Sequence, residues 1–296
     1  MSSVELMSDY QDHANRHVAE IVAALRNEGW ILLRDEGYDL QRFSALMTQL
    51  CVRLTFDPAR DFSSKETQTV DAGSDAVGLH IENGNTPLPP DIVAFHSALS
   101  ARFGAQTTLC DGAAVYQALP EVLRKKFLQP VTVTRFLPQT HWQRYVAKAL
   151  GSESTENISL AKLKQFIAAI PGQSFVEAAD GGIDYSLTFN PIRKDNCAAL
   201  PSFANAILGP SYNYQTPHYQ FADGQVIDAT LMAQLRDICE PLTTEIAWQD
   251  GDVVVMDNKR MMHGRRRIPV PLSERKLYIG MGLGLVGCES GFKSIH

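Results

Sequence analysis

The sequence predicts a mainly β chain with flanking helices (α+β), built on a double-stranded β-helix, or jelly-roll, core. Short apolar runs of strand length, among them Trp30–Leu33, Asp91–Ser97 and Val131–Phe136, recur along the chain. Amphipathic helical patterns flank them, most clearly near the N-terminus. Side chains suited to one metal ion stand far apart, at His80, Glu82 and His263, which favours one enlarged β domain over 1–296 rather than two average ones.

Val18, Ile21, Val22 and Leu25 recur at helical spacing, so 12–28 is expected as an amphipathic helix ended by Gly29. Trp30–Leu33 follows as a buried strand and Leu40–Leu50 as a second helix, the two helices covering one sheet of the barrel. A strand is expected through His80–Glu82, with another at Asp91–Ser97. Gly104 to Gly112 reads as a glycine turn and strand leading into a short helix through Ala113, Tyr116 and Leu119, ended by Pro120. A helix at Val122–Phe127 precedes the strand Val131–Phe136. Ser159–Ile170 is helical, closed by Pro171 and Gly172. Together with the glycine- and acid-rich Ala178–Asp184 it makes an insertion, within 140–205, placed where a cap over a site commonly forms. Asp228–Cys239 is a helix with Asp228 as N-cap. Trp248 to Asn258 reads as a turn, a buried apolar strand and a polar exit.

The bulk numbers narrow the function classes. A hydrophobic fraction of 45% is enough for a large core, and a net charge of −6 argues against nonspecific nucleic-acid binding, which the short basic run Arg265–Arg267 does not overturn. Five cysteines, Cys51, Cys110, Cys197, Cys239 and Cys288, are widely spaced and form no Cys-x-x-Cys pair, so they read as reduced thiols. Met1–Glu5 has no basic region and no long apolar stretch follows, so no leader peptide, no membrane span and a cytoplasmic location are expected.

The chemistry concentrates in four places. In a strand, residues two apart share a face, so His80 and Glu82 can chelate one ion while Ile81 packs the other way. His263 follows the buried strand, beside Gly264, which lets backbone approach closely. Two imidazoles and one carboxylate leave three coordination positions open, the arrangement of mononuclear non-haem iron oxygenases. Twelve residues on, Arg275 precedes the apolar Leu277–Met281, and a guanidinium fork there suits the distal carboxylate of a keto acid. Thr107 can give a hydroxyl donor to the same carboxylate. Each residue also has an ordinary reading: His80 and Glu82 as strand residues, His263 as a loop histidine in a basic run, Arg275 as a solvated edge arginine, Thr107 as a β-branched strand residue.

Taken in order, His80-x-Glu82, Gly-Ala-Gln-Thr107, Trp-Gln-Asp-Gly-Asp, Met-Asp-Asn, His263-Gly-Arg and Arg275 resemble the taurine dioxygenase and clavaminate synthase-like group of Fe(II)/2-oxoglutarate dioxygenases, from about Trp30 to about Leu285. Arg135–Pro138, His141–Gln143, Phe203–Asn205 and Phe221–Asp228 are similar to members that modify amino acids or carrier-bound aminoacyl groups. The resemblance implies His80, Glu82 and His263 as iron ligands, Thr107 and Arg275 as 2-oxoglutarate contacts, and Fe(II), 2-oxoglutarate and O2 as the reacting partners. Because halogenating relatives replace the carboxylate ligand with a small residue, Glu82 implies hydroxylation, with desaturation or cyclisation as related outcomes. Ala105 stands where the family has a second glycine, and 143–205 departs from its pattern.

The expected substrate is a small polar amino acid, free or thioester-linked to a carrier protein. Asn83, Asn85 and Arg135 are candidate substrate contacts, although Asn-Gly-Asn is also good turn chemistry and Arg135 suits a structural ion pair. Asp257 and Asn258 either orient the ligands or close a turn. The competing classes are a non-catalytic jelly roll that binds a ligand and an oxygenase acting on protein or nucleic acid, the latter disfavoured by the acidic balance.

Overall fold

The structure is a computed structural model that describes residues 17–150, 158–209 and 216–287. Two antiparallel sheets carry the site. The larger has strands in the order Trp30–Leu33, Val253–Asp257, Ile92–Leu99, Lys276–Leu285 and Cys51–Leu54, with Gln68–Thr69 also paired to Lys276–Leu285. The smaller runs Thr243–Ile246, Thr107–Asp111, Met261–Arg265, Val77–His80.

Alternation along the strands explains how the sheets pack. Val93, Phe95, Val254, Met256, Ile279 and Met281 of the larger sheet meet Leu109, Ile246 and Met261 of the smaller in one buried cluster. Residues of opposite parity, Ile92, Ala94, Val253, Val255 and Tyr278, face Ile21, Leu25, Phe43 and Met47 on the two N-terminal helices. Those helices therefore cover one sheet, as the sequence predicts. The first occupies 17–27 among the described residues, and 12–16 lie outside them. Leu40–Leu50 starts at Asp39, whose side chain accepts from the Arg42 N–H.

Val131–Leu137, Ile183–Phe189, Gln173–Glu177 and His218–Phe221 form a third antiparallel sheet, flanked by helices Gln139–Ala149 and Leu160–Ala168. The insertion expected within 140–205 is thus part of a wider unit, because strands on either side of it complete its sheet. Ser159 caps the helix Leu160–Ala168 and Asp228 caps Ala229–Cys239, each side chain accepting a backbone N–H.

Two local expectations are corrected. The strand through His80–Glu82 stops at His80, and Glu82 opens a turn in which Asn83 has φ +54°. His263 lies inside a strand rather than in a loop beyond one: three residues, Asn258–Arg260, carry the chain from Val253–Asp257 in the larger sheet to Met261–Arg265 in the smaller. Among the described residues no helix is long and apolar enough to cross a membrane, and Cys51, Cys110, Cys197 and Cys239 form no disulfide; Cys288 lies outside the described residues.

Candidate metal centre

Neighbouring strands bring the two histidines together. His263 is the register partner of His80, and their rings lie 4.4 Å apart. Glu82 reaches the same place from its turn, with Oε2 3.4 Å from His263 Nε2. One donor atom from each of the three lies within 4.8 Å of the others, close enough to share one ion.

The donor set suits a divalent cation. His80 Nδ1 lies 2.8 Å from the Gly78 carbonyl, so the proton belongs on Nδ1 and the Nε2 lone pair is free. Burial, with the charge of His263, holds the His80 imidazole down at about 4. Burial opposes ionisation of Glu82, but Arg60 and His263 outweigh it and keep the carboxyl well below its usual range. Neutral imidazole and charged carboxylate are the forms that metal binding requires. His263 Nδ1 is buried without a hydrogen-bond partner, so packing orients this ring, with Phe95 edge-on at 5.2 Å.

Three features hold these side chains in place. Asn258 Oδ1 accepts from the Glu82 N–H at 2.8 Å, and its Nδ2 donates to the carbonyls of Glu82 at 3.1 Å and Pro90 at 2.8 Å. Asp257, considered for the same work, instead accepts the N–H groups of Cys197 and Lys259. Arg60 Nη2 donates to Glu82 Oε1 at 3.0 Å, and its Nε lies 3.6 Å from Asp57. Sequence reasoning missed Arg60, which sits in an irregular loop with no motif around it. Gly264 is required by close approach, because a Cβ there would lie 2.5 Å from the Val77 carbonyl oxygen and 2.8 Å from Thr108 Oγ1.

Thr107 is the register partner of Arg265, on the strand that carries His263. Thr107 Oγ1 accepts from Trp248 Nε1 at 2.9 Å, which leaves the hydroxyl hydrogen to be given elsewhere. Arg275 is half-buried and has no carboxylate partner among the described residues; burial and the nearby charge of Arg265 push it down to about 10. Arg265 is itself occupied by the carbonyls of Ala72, Gly73 and Asp75. A half-buried guanidinium without a carboxylate partner is suited to receive an anion. The turn leading to Thr107 keeps its left-handed shape despite Ala105, with φ +69° at Gly104 and +60° at Ala105.

The candidate substrate residues are more scattered. Asn83 points to Met281 Sδ at 4.0 Å, and its carbonyl accepts from Thr86. The Asn85 amide is engaged with the Tyr219 hydroxyl, at 2.9 Å from Nδ2. Arg135 Nη2 donates to the Asn85 carbonyl at 3.3 Å, and Asn85 and Arg135 line one cavity between the third sheet and its helices.

The profile of the family described as "Taurine catabolism dioxygenase TauD, TfdA family" matches residues 4–280. The chain belongs to that family. No curated protein matches it. A taurine dioxygenase from Burkholderia xenovorans is similar in structure, at a TM-score of 0.56 and 14% identity, over 93% of this chain and 84% of that one. AAD-2, solved with Mn(II) and N-oxalylglycine, is similar at a TM-score of 0.58 and 13% identity, over 90% of this chain and 87% of that one. At these identities the likeness concerns the fold, the mainly β jelly roll with flanking helices that the sequence predicts. As a TauD/TfdA member the chain is an oxidoreductase of the 2-oxoglutarate-dependent dioxygenase type, using Fe(II), 2-oxoglutarate and O2.

Proposed function

We propose that this dioxygenase hydroxylates a small amino acid, free or loaded on a carrier protein, in a cytoplasmic biosynthetic pathway. His80, Glu82 and His263 hold the iron. Arg275 and Thr107 hold the distal carboxylate of 2-oxoglutarate. Asn83, Asn85 and Arg135 face the substrate. The observation that carries this reading is the convergence of three donor atoms, from residues far apart in sequence, to within 4.8 Å. The half-buried Arg275, without a carboxylate partner among the described residues, supports the keto-acid assignment.

When bound, Fe(II) with 2-oxoglutarate and O2 supplies the oxidant that breaks a C–H bond, and succinate and CO2 are released. The chain supplies position and exclusion of water. Glu82 would supply the carboxylate that halogenating relatives replace with a small residue, which favours hydroxylation. Thr107 and Arg275 fix the far end of the cosubstrate and so set where its reacting end lies. The buried strands around His263 keep the site dry.

Succinate release with candidate amino acids, with and without Fe(II), tests the reading. Substrate-stimulated release that needs iron and disappears in His80→Ala is the expected result. Turnover that persists in His80→Ala overturns the ligand assignment, and binding of amino acids with no turnover favours the non-catalytic jelly roll.

A further inference from the structure

The third sheet and the helices Gln139–Ala149 and Leu160–Ala168 line a partly open cavity of about 70 Å³. Its lining is mainly apolar, with Trp142, Phe166, Ile167 and Ile183 prominent. One wall is Asn85–Pro87, the continuation of the turn that carries Glu82. That wall links the cavity to the candidate metal centre through the chain, although His80, Glu82 and His263 do not line it.

Arg135 is out of keeping with the other lining residues. It is half-buried and has no carboxylate partner among the described residues, and its Nε is buried without any hydrogen-bond partner. Nη2 donates to the Asn85 carbonyl at 3.3 Å, and the guanidinium carbon lies 6.0 Å from the centre of the Tyr185 ring. The neighbouring Gln173 cannot answer the charge, because its Oε1 accepts from the Tyr185 hydroxyl and its Nε2 donates to backbone carbonyls. A guanidinium so placed against apolar walls is costly until an anion meets it.

The rest of the ligand follows from the lining: apolar walls around a small space suit a short branched aliphatic group. We infer that this cavity seats the substrate, and that the substrate is a free monocarboxylate bearing a short branched aliphatic arm, its carboxylate gripped by Arg135. The inference rests on the oxygenase reading above and deepens it. A carrier thioester has no carboxylate to offer the guanidinium, so the untethered form is the one selected. The apolar walls also turn the choice from a polar side chain to an aliphatic one. Branched-chain amino acids and the corresponding carboxylic acids share this chemistry.

Calorimetric titration separates the cases. 3-Methylbutanoate, L-leucine and L-leucinamide are titrated into the protein loaded with Mn(II) and 2-oxoglutarate, and 3-methylbutanoate is also titrated into metal-free protein. At least one of the two carboxylates is expected to bind at least about tenfold more tightly than the amide, and Arg135→Met to remove that advantage while Arg135→Lys keeps part of it. Ile183→Phe, which fills the cavity, is expected to abolish binding of all three. Leucinamide binding as tightly as the better carboxylate, unchanged carboxylate binding in Arg135→Met, or no binding to a protein that still takes up Mn(II) and 2-oxoglutarate would each overturn the inference alone. Failure to bind Mn(II), with Arg135-dependent binding of 3-methylbutanoate intact, would sink the iron assignment and leave the cavity's specificity standing.

Discussion

Arg60 Nη2 donates to Glu82 Oε1 at 3.0 Å, and Glu82 Oε2 faces His263 Nε2 at 3.4 Å. The two carboxylate oxygens therefore have different work: one is held by the loop and the other is turned to the site. Removing Arg60 has two opposed effects. It takes away a cation that repels the metal, and it frees a buried carboxylate to rotate or take up a proton. Orientation should dominate, since losing a partner of a metal ligand typically weakens binding about 10- to 100-fold. Arg60→Met is thus expected to weaken Mn(II) binding by at least about tenfold, read by spin-resonance titration. Equal affinity in the two proteins would show that Glu82 is set by its own backbone.

Arg275 and Thr107 should separate cosubstrate from substrate. Truncating one partner of a buried charged pair costs about 2–5 kcal/mol, so Arg275→Leu is expected to raise the Kd for 2-oxoglutarate by well over tenfold. Thr107→Val removes one hydroxyl donor and also strands the Trp248 N–H, for a smaller loss on the order of 1–3 kcal/mol. Mn(II) binding without 2-oxoglutarate should be unchanged in both. An Arg275→Leu protein that keeps its 2-oxoglutarate affinity would place the cosubstrate elsewhere.

The cluster of His80, Glu82 and His263 was legible because its spacing is chemical: two donor side chains two residues apart and a third beside a glycine, which the structure brings to within 4.8 Å. The strand pattern was legible too, since Val93 and Phe95 on one face and Ile92 and Ala94 on the other obey a two-residue period. Arg60 was not, because its importance comes from a loop that folds back over 22 residues to Glu82 and carries no periodic signal. The turn at Glu82 was misread as strand for a related reason: Asn258, 176 residues away, satisfies that backbone through its side chain, and no local sequence rule reports such a partner. Likewise the third sheet outgrew the expected insertion because Val131–Leu137 and His218–Phe221, which lie before and after it in the chain, pair into the same sheet.

Ala105 offers a test of backbone strain. Its φ of +60° lies in the left-handed region, where a Cβ costs roughly 1–2 kcal/mol, and its N–H is tied to the Arg267 carbonyl at 3.1 Å. Glycine adopts this conformation freely but loses more entropy on folding, which offsets part of the gain. Ala105→Gly is expected to raise stability by about 0.5–1 kcal/mol, measured by denaturant unfolding with an unchanged m-value. A loss of stability would mean that the buried methyl group contributes more packing than the turn costs.

Asn258 joins stability to function. It is fully buried, and its side chain satisfies the Glu82 N–H, the Glu82 carbonyl and the Pro90 carbonyl. Asn258→Ala leaves those three backbone groups without partners in a site remote from bulk solvent. Each buried orphan costs about 1–3 kcal/mol, and a water entering the vacated space would recover part of this, so a net loss of about 2–4 kcal/mol is expected. For a chain of this size that corresponds to a fall in Tm of about 3–7 °C. Because the same bonds fix where Glu82 starts its turn, Mn(II) affinity should fall with them, and the Tm gained on adding a fixed Mn(II) concentration should be smaller in the variant than in the parent. Asn258→Asp keeps the acceptor for the Glu82 N–H but sets a carboxylate against two carbonyls, and is expected to be no better than alanine. If Asn258→Ala lowers Tm while its Mn(II) affinity stays that of the parent, the residue supports the sheet connection alone and the Glu82 carboxylate finds its place without it.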